Sequence, residues 1–379
     1  MRANLSYSYK DVWNSIKYSF SFKKLWTQLQ GLILGVFIYS IFSYLALLLS
    51  GYSIKEIWNY WKFVPIPVGE PLSVWGWILL IIGIAGLLVF TYIYAVAVAK
   101  ITVEQLKGDE FYEVKDAVIY ARKKGWPVIT TPLSILFVIL FILLCGVVLG
   151  LLGKIPYLGE IILLISAIPA IVMCFFLVYL FFAFVISLIL PVSVVSLQES
   201  DTFDTLFEVF STLNEQPFRF LLYQLYVIIS AVFTSSLFAW ALGRAVWIMD
   251  KVLSASWLMG SKFKAIEEAA LYFFTTSPLF GSLYSYLKFL GIHKILSVPS
   301  VLPAEGGLVN LVGFFFGIGL YIMVFLVIAQ VLNSLNVGTL LSYLVIVKKK
   351  DDLDLLEVKK EEEKMEETGS QPSGGGEGN

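Results

Sequence analysis

Three carboxylates close together in the chain, Glu199, Asp201 and Asp204, are the residues whose types and spacing could do chemistry. Acids so placed can hold a divalent cation or share a proton, provided that other donors converge on them. They also stand where a helix must begin after a long apolar run, and an acid at a helix start accepts from free N–H groups and opposes the helix dipole. Capping accounts for their positions without any reaction. Glu160 and Arg219 each lie at the entrance to an apolar run, where a side chain caps or snorkels, and Pro217 stops the helix before Arg219. His293 is the only histidine, which removes a His-rich metal site and most imidazole acid–base schemes. Cys145 and Cys174 fall inside apolar stretches, where a thiol behaves as a small hydrophobe. No nucleophile paired with a base, no phosphate-cradling loop and no zinc spacing is present, so the expectation is no catalytic residue, no metal and no cofactor.

The elements that must position these groups belong to a membrane. Of 379 residues, 58% are hydrophobic and 15% charged, and the mean hydropathy is +0.83. An average soluble domain carries about 25% charged residues. Lipid must be the solvent of so apolar a chain. The net charge of -1 and the lack of a long basic stretch exclude a nucleic-acid partner and leave membrane lipids, and other membrane subunits, as the expected partners.

Apolar runs at 29–50, 74–99, 133–152, 161–190, 218–242 and 308–332 predict six membrane-spanning helices, each meeting the need for about 20 residues. The fold class is therefore all-α, a polytopic membrane helix bundle over 1–347, followed by a charged cytoplasmic tail at 348–379 that reads as a helix fading into disorder. Pro169 predicts a tilt or kink in span four. Lysine and arginine concentrate before span one, between spans two and three and at Lys348 to Lys350, placing both termini in the cytoplasm. The outer insertion at 243–307 disagrees, with six basic residues, and within it 269–290 is apolar enough to dip into the membrane. A polar stretch from Met1 to Gln28 precedes the first apolar run without a clear cleavage site, so no cleavable signal peptide is expected.

Short amphipathic helices are predicted on the cytoplasmic side before each odd span. Val12, Trp13, Ile16 and Phe20 form the apolar stripe of the first; Phe111, Val114, Val118 and Ala121 that of the second, ended by Gly125 and Pro127. Phe203, Leu206, Phe207, Phe210 and Leu213 form the third, begun by Ser200 or Asp201. Each feeds a pair of spans, a threefold layout. Phe263, Ile266, Ala270 and Phe273 suggest a fourth such helix in the outer insertion, and Ser53 with Glu56 forms a capping box that opens an aromatic outer link. Glycines four apart, Gly31 and Gly35, Gly146 and Gly150, Gly313 and Gly317, predict close helix packing.

The stretch from Gly153 to Tyr223 reads GKIPYLGE, a long apolar helix, then LPVSVVSLQESDTFDTLFEVFSTLNEQPFRFLLY. It resembles a group of uncharacterised bacterial six-span membrane proteins with an IPYVGE-type turn, an ESDxFDA helix and a Pro-aromatic-Arg start to the next span. In layout these are similar to the membrane domain attached to some glycerophosphodiester phosphodiesterases. The resemblance marks Pro156, Gly159, Glu160, Glu199, Asp201, Phe203, Asp204, Pro217 and Arg219 as positions for structure or interaction, and implies a six-span fold in the bacterial inner membrane with no known activity. This chain departs from the pattern at Phe207 to Phe210, where serine and arginine are usual, and at Phe218, where tryptophan is usual, which weakens a headgroup-binding role for that helix. The expected function is a non-enzymatic accessory or scaffold subunit that organises lipids or membrane partners. The alternative is a permeation pathway for lipidic or weakly polar solutes, since buried charge of the kind that couples transport to ions is nearly absent from the spans.

Overall fold

In lipid each backbone N–H and C=O must find its partner inside the chain, so a spanning segment either coils into a helix or closes into a barrel. This chain takes the first solution. The structure, a computed structural model, describes residues 5–67, 69–274 and 307–357, and among them there are helices and no strand. In chain order the helices are α1 (Tyr9–Trp13), α2 (Ser15–Ser19), α3 (Phe22–Leu49), α4 (Ile54–Trp61), α5 (Val74–Lys107), α6 (Val114–Lys124) and α7 (Pro127–Leu152). Then follow α8 (Leu158–Ser187), α9 (Pro191–Gln198), α10 (Thr202–Glu215), α11 (Pro217–Leu253), α12 (Ser261–Phe274) and α13 (Gly307–Asp351). Six of them, α3, α5, α7, α8, α11 and α13, are long and apolar enough to cross a membrane.

The stops and starts follow from local chemistry. Ser53 and Glu56 close the expected capping box at α4, the Ser53 N–H donating to Glu56 Oε2 over 2.8 Å. That bond holds the Glu56 carboxyl below its usual range. Gly125 ends α6 and Pro127 begins α7, while Asp201 caps α10 and Pro217 begins α11. Pro169 sits inside an α8 that remains one continuous helix.

Several expectations are corrected. The N-terminal amphipathic helix is two short pieces parted at Asn14, whose backbone N–H still donates to the Lys10 carbonyl. Ile54, Ile57, Trp58 and Trp61 share one helical face by spacing, yet on α4 the buried residues are Ile57 and Trp61, packed with Leu47, Tyr44 and Tyr52, while Ile54 is exposed. The fifth and sixth spans run well past 242 and 332, where no proline interrupts α11 before Leu253 or α13 before Asp351. In consequence Lys350 lies within a helix and is buried in an ion pair, where a solvated tail was expected. The suggested dip at 269–290 lies outside the described residues beyond Phe274, as does the tail beyond Glu357.

The chain divides into two compact units that interleave in sequence and do not follow three consecutive blocks. The first holds 1–14, 99–226 and 339–379; the second holds 15–98 and 227–338. In the second unit, α3 meets α5 where Gly31 lies against Tyr94 and Gly35 against Leu87, and α13 meets α12 where Gly313 lies against Ala269. A Cβ on Gly31 would come within 2.4 Å of Tyr94 Cβ, and one on Gly313 within 2.4 Å of Ala269 Cβ. Backbones this close gain dispersion contacts that no larger residue would allow. In the first unit Gly146 and Gly150 have nothing within 4 Å of an added Cβ, so the third glycine pair packs against no part of the described chain.

Gly31→Leu and Gly313→Leu should each cost about 1–3 kcal/mol through overpacking. Both should lower the midpoint of thermal unfolding in detergent, with Gly146→Leu, tested alongside, leaving it unchanged.

Candidate functional site

The candidate acids lie in the first unit, at the junction of α9 and α10. Glu199 ends α9 in the left-handed region at φ +57°, its N–H donating to the Val195 carbonyl. That reversal lets Asp201 stand as the cap of α10, where one carboxylate oxygen accepts from the N–H groups of Phe203 and Asp204, each at 2.9 Å. Thr205 Oγ1 donates to the Asp201 carbonyl over 2.6 Å. The Asp201 carboxylate is thereby committed to helix initiation. Asp204 is exposed in the first turn, as the dipole favours.

Glu199 looks instead toward Lys100 on α5, at 3.8 Å. The Lys100 ammonium is 3.0 Å from Glu104 and 4.6 Å from the centre of the Tyr120 ring, and Lys107 reaches the same Glu104 at 3.5 Å. Tyr120 in turn donates to the Val195 carbonyl over 2.7 Å. Two acids and two bases thus neutralise one another while pinning α5, α6 and α9 together. Tyr112 lies in the field of these groups, and its phenol is raised to about 12, first by burial and then by the charges of Glu104, Asp116, Glu199 and Asp109. Among the described residues no three His, Cys, Asp or Glu side chains converge as a metal would need. Sequence reasoning missed Glu104, Tyr112 and Tyr120; the signal for Glu104 was the spacing of Lys100, Glu104 and Lys107 at i, i+4 and i+7.

A second charged contact joins α10 to the end of α13. Lys350, its side chain 5% exposed, lies 2.9 Å from Glu208 and donates to Ser211 Oγ over 2.9 Å. Nearby, the amide of Gln224 donates to Ser342, and its oxygen accepts from Thr339.

The remaining marked positions form separate local devices. Pro156, Gly159 and Glu160 make the turn from α7 to α8, with Tyr157 at φ +65°. A Cβ on Gly159 would lie 2.3 Å from the Gly153 carbonyl, so glycine is required there. Glu160 is exposed in the first turn of α8. Arg219, also exposed, donates to the Gln216 side chain at the start of α11, next to Pro217. The 30 residues of α8 put roughly 45 Å between Glu160 and the junction that bears Glu199. These residues build the helix ends and do not converge on one reaction centre.

The first unit also contains the exposed hairpin of α7 and α8. Its two helices pack on each other, yet only 11% of the most apolar stretch that runs through α7, and none of that in α8, is buried. Cys145 and Cys174 are free and exposed, and the face bearing Gly146 and Gly150 is open. Comparison with protein-family models, with curated proteins and with solved structures finds no match to this chain.

Lys350→Met should destabilise by about 3 kcal/mol by stranding Glu208, and adding Glu208→Leu should recover most of the loss. Thermal unfolding of the two variants checks it. Because the Tyr112 pKa is raised, its contribution to stability is complete below about pH 10 and is lost as pH rises toward 12. The difference between the phenolate absorbance titrations of wild type and Tyr112→Phe should therefore show a component near 12, and a component near 10 would contradict the burial of that ring.

Proposed function

We propose that this chain is a non-enzymatic subunit of the bacterial inner membrane, an accessory or scaffold protein that organises lipids and partner membrane proteins. The observation that carries the reading is the bare α7–α8 hairpin. Two spans whose apolar stretches are so little buried among the described residues present a large surface to lipid, and the open face at Gly146 and Gly150 allows another helix to approach closely. The acids that could have served a reaction are engaged in a helix cap and in ion pairs, which supports a structural account of them.

The cytoplasmic placement of both termini rests on the lysine and arginine distribution. The helices α6 and α10 are read as lying in the headgroup region of that side. In support, Phe203 and Phe207 of α10 are 65% and 60% exposed while the opposite face, Thr205, Val209 and Thr212, is buried. A soluble helix would bury the phenylalanines; an interfacial one turns them to lipid. The resemblance to bacterial six-span proteins agrees with this placement.

The test is capture in native membranes. A photoactivatable maleimide on Cys145, in a Cys174→Ser background, should give a discrete protein adduct that also co-purifies in mild detergent. Adducts with lipid alone, together with recovery of a solitary protomer carrying a bound solute, would overturn the scaffold reading in favour of solute handling.

A further inference from the structure

The exposed side of α11 in the second unit changes character within one turn. Phe233, Leu237 and Trp240, at i, i+4 and i+7, are exposed along one face, and Arg244, also exposed, continues the line four residues on. Up to Trp240 the stripe is apolar, and at Arg244 it becomes cationic. As a helix the apolar run 218–242 rises about 37 Å, more than the roughly 30 Å of a hydrocarbon core and less than the about 40–45 Å that includes the headgroups. Arg244, just beyond that run, therefore stands at the depth of lipid phosphates.

The guanidinium is also held in place. Its central carbon lies 5.7 Å from the centre of the Trp240 ring, one turn before it, and 5.8 Å from that of Trp247, one turn after. Cation–π contact with two indoles orients the planar fork while the side chain stays exposed. The N–H donors of a guanidinium lie at the edge of its plane, where two phosphate oxygens can be met at once.

We infer that Arg244, Trp240 and Trp247 form a binding site for the phosphodiester of a membrane phospholipid whose acyl chains lie along Phe233 and Leu237. Snorkelling alone would carry the charge outward into water, whereas the two rings keep it at their own depth. A free phosphate would meet the same fork and gain nothing from the apolar stripe, so the lipid is the favoured source. The site gives the lipid part of the scaffold reading a named contact. Its residues all belong to the second unit and none to the α7–α8 hairpin, so capture at Cys145 and binding at Arg244 can fail independently.

The test uses the full chain in maltoside micelles, with Cys145→Ser, Cys174→Ser and Ala245→Cys carrying a bimane fluorophore beside the site. Ala245 is exposed and next to Arg244. The probe is phosphatidylglycerol bearing a nitroxide near the head of one acyl chain, and saturable quenching of the bimane is expected. Unlabelled phosphatidylglycerol should relieve the quenching. Diacylglycerol with the same chains, which lacks the phosphate, and glycerol phosphate, which lacks the chains, should each compete at least about fivefold less well. Arg244→Gln should raise the half-saturating concentration by about fivefold. Trp240→Leu, which keeps the charge and removes one ring from the stack, should raise it by about threefold. Both variants should keep the elution profile of the parent. Quenching that does not saturate, displacement by diacylglycerol or by glycerol phosphate as good as by the lipid, or unchanged affinity in either variant would each overturn the assignment.

Discussion

Lipid supplies no hydrogen bonds, and the structure is organised by where the chain supplies its own. Uncharged polar residues of α13 meet part of that demand. In the second unit the Asn333 amide donates to the Ser19 carbonyl over 2.7 Å, Asn336 to Gln28 over 3.1 Å, and Ser334 pairs with Thr234 over 2.8 Å. In the first unit Thr339 and Ser342 share the two ends of Gln224, and Tyr343 accepts from Gln198. Each such bond between helices is worth only about 0.6 kcal/mol on average, but a polar group left alone in hydrocarbon costs several. The pairings therefore select register more than they add stability. Residues of the 45-residue α13 up to 338 belong to the second unit and those from 339 to the first.

Within the second unit, glycine at the contact points allows helices to close on one another, and apolar clusters fill the space left between them. Tyr321, Val324 and Val327 of α13 pack with Ala239 of α11 and Ala270 of α12. In the first unit, charge takes part in the same task. Lys100, Glu104, Lys107 and Glu199 lie where helix ends meet, as do Glu208 and Lys350, and mutual pairing is what allows such groups to be partly buried.

Much of this was legible in the sequence because the signals were local. Spans read as apolar runs, Ser53 and Glu56 as a capping box, Gly125 and Pro127 as a helix stop, and Ser200 or Asp201 as a helix start, of which Asp201 is the cap. What was not legible depended on partners distant in sequence. Nothing in LPVSVVSLQES marks Glu199 as the partner of Lys100, ninety-nine residues earlier. The three glycine pairs have the same spacing, yet only the structure separates those that meet a neighbour from Gly146 and Gly150, which meet none.

The central proposal is that lipid solvates the α7–α8 hairpin, which the described residues leave largely unburied. The chain's two cysteines, one on each helix, allow it to be tested without altering the fold. A nitroxide on Cys145 or Cys174 of the purified protein in liposomes should be mobile, collide readily with dissolved oxygen and be shielded from a water-soluble nickel chelate. A strongly immobilised spectrum, or collision with the nickel reagent at both sites, would contradict the account.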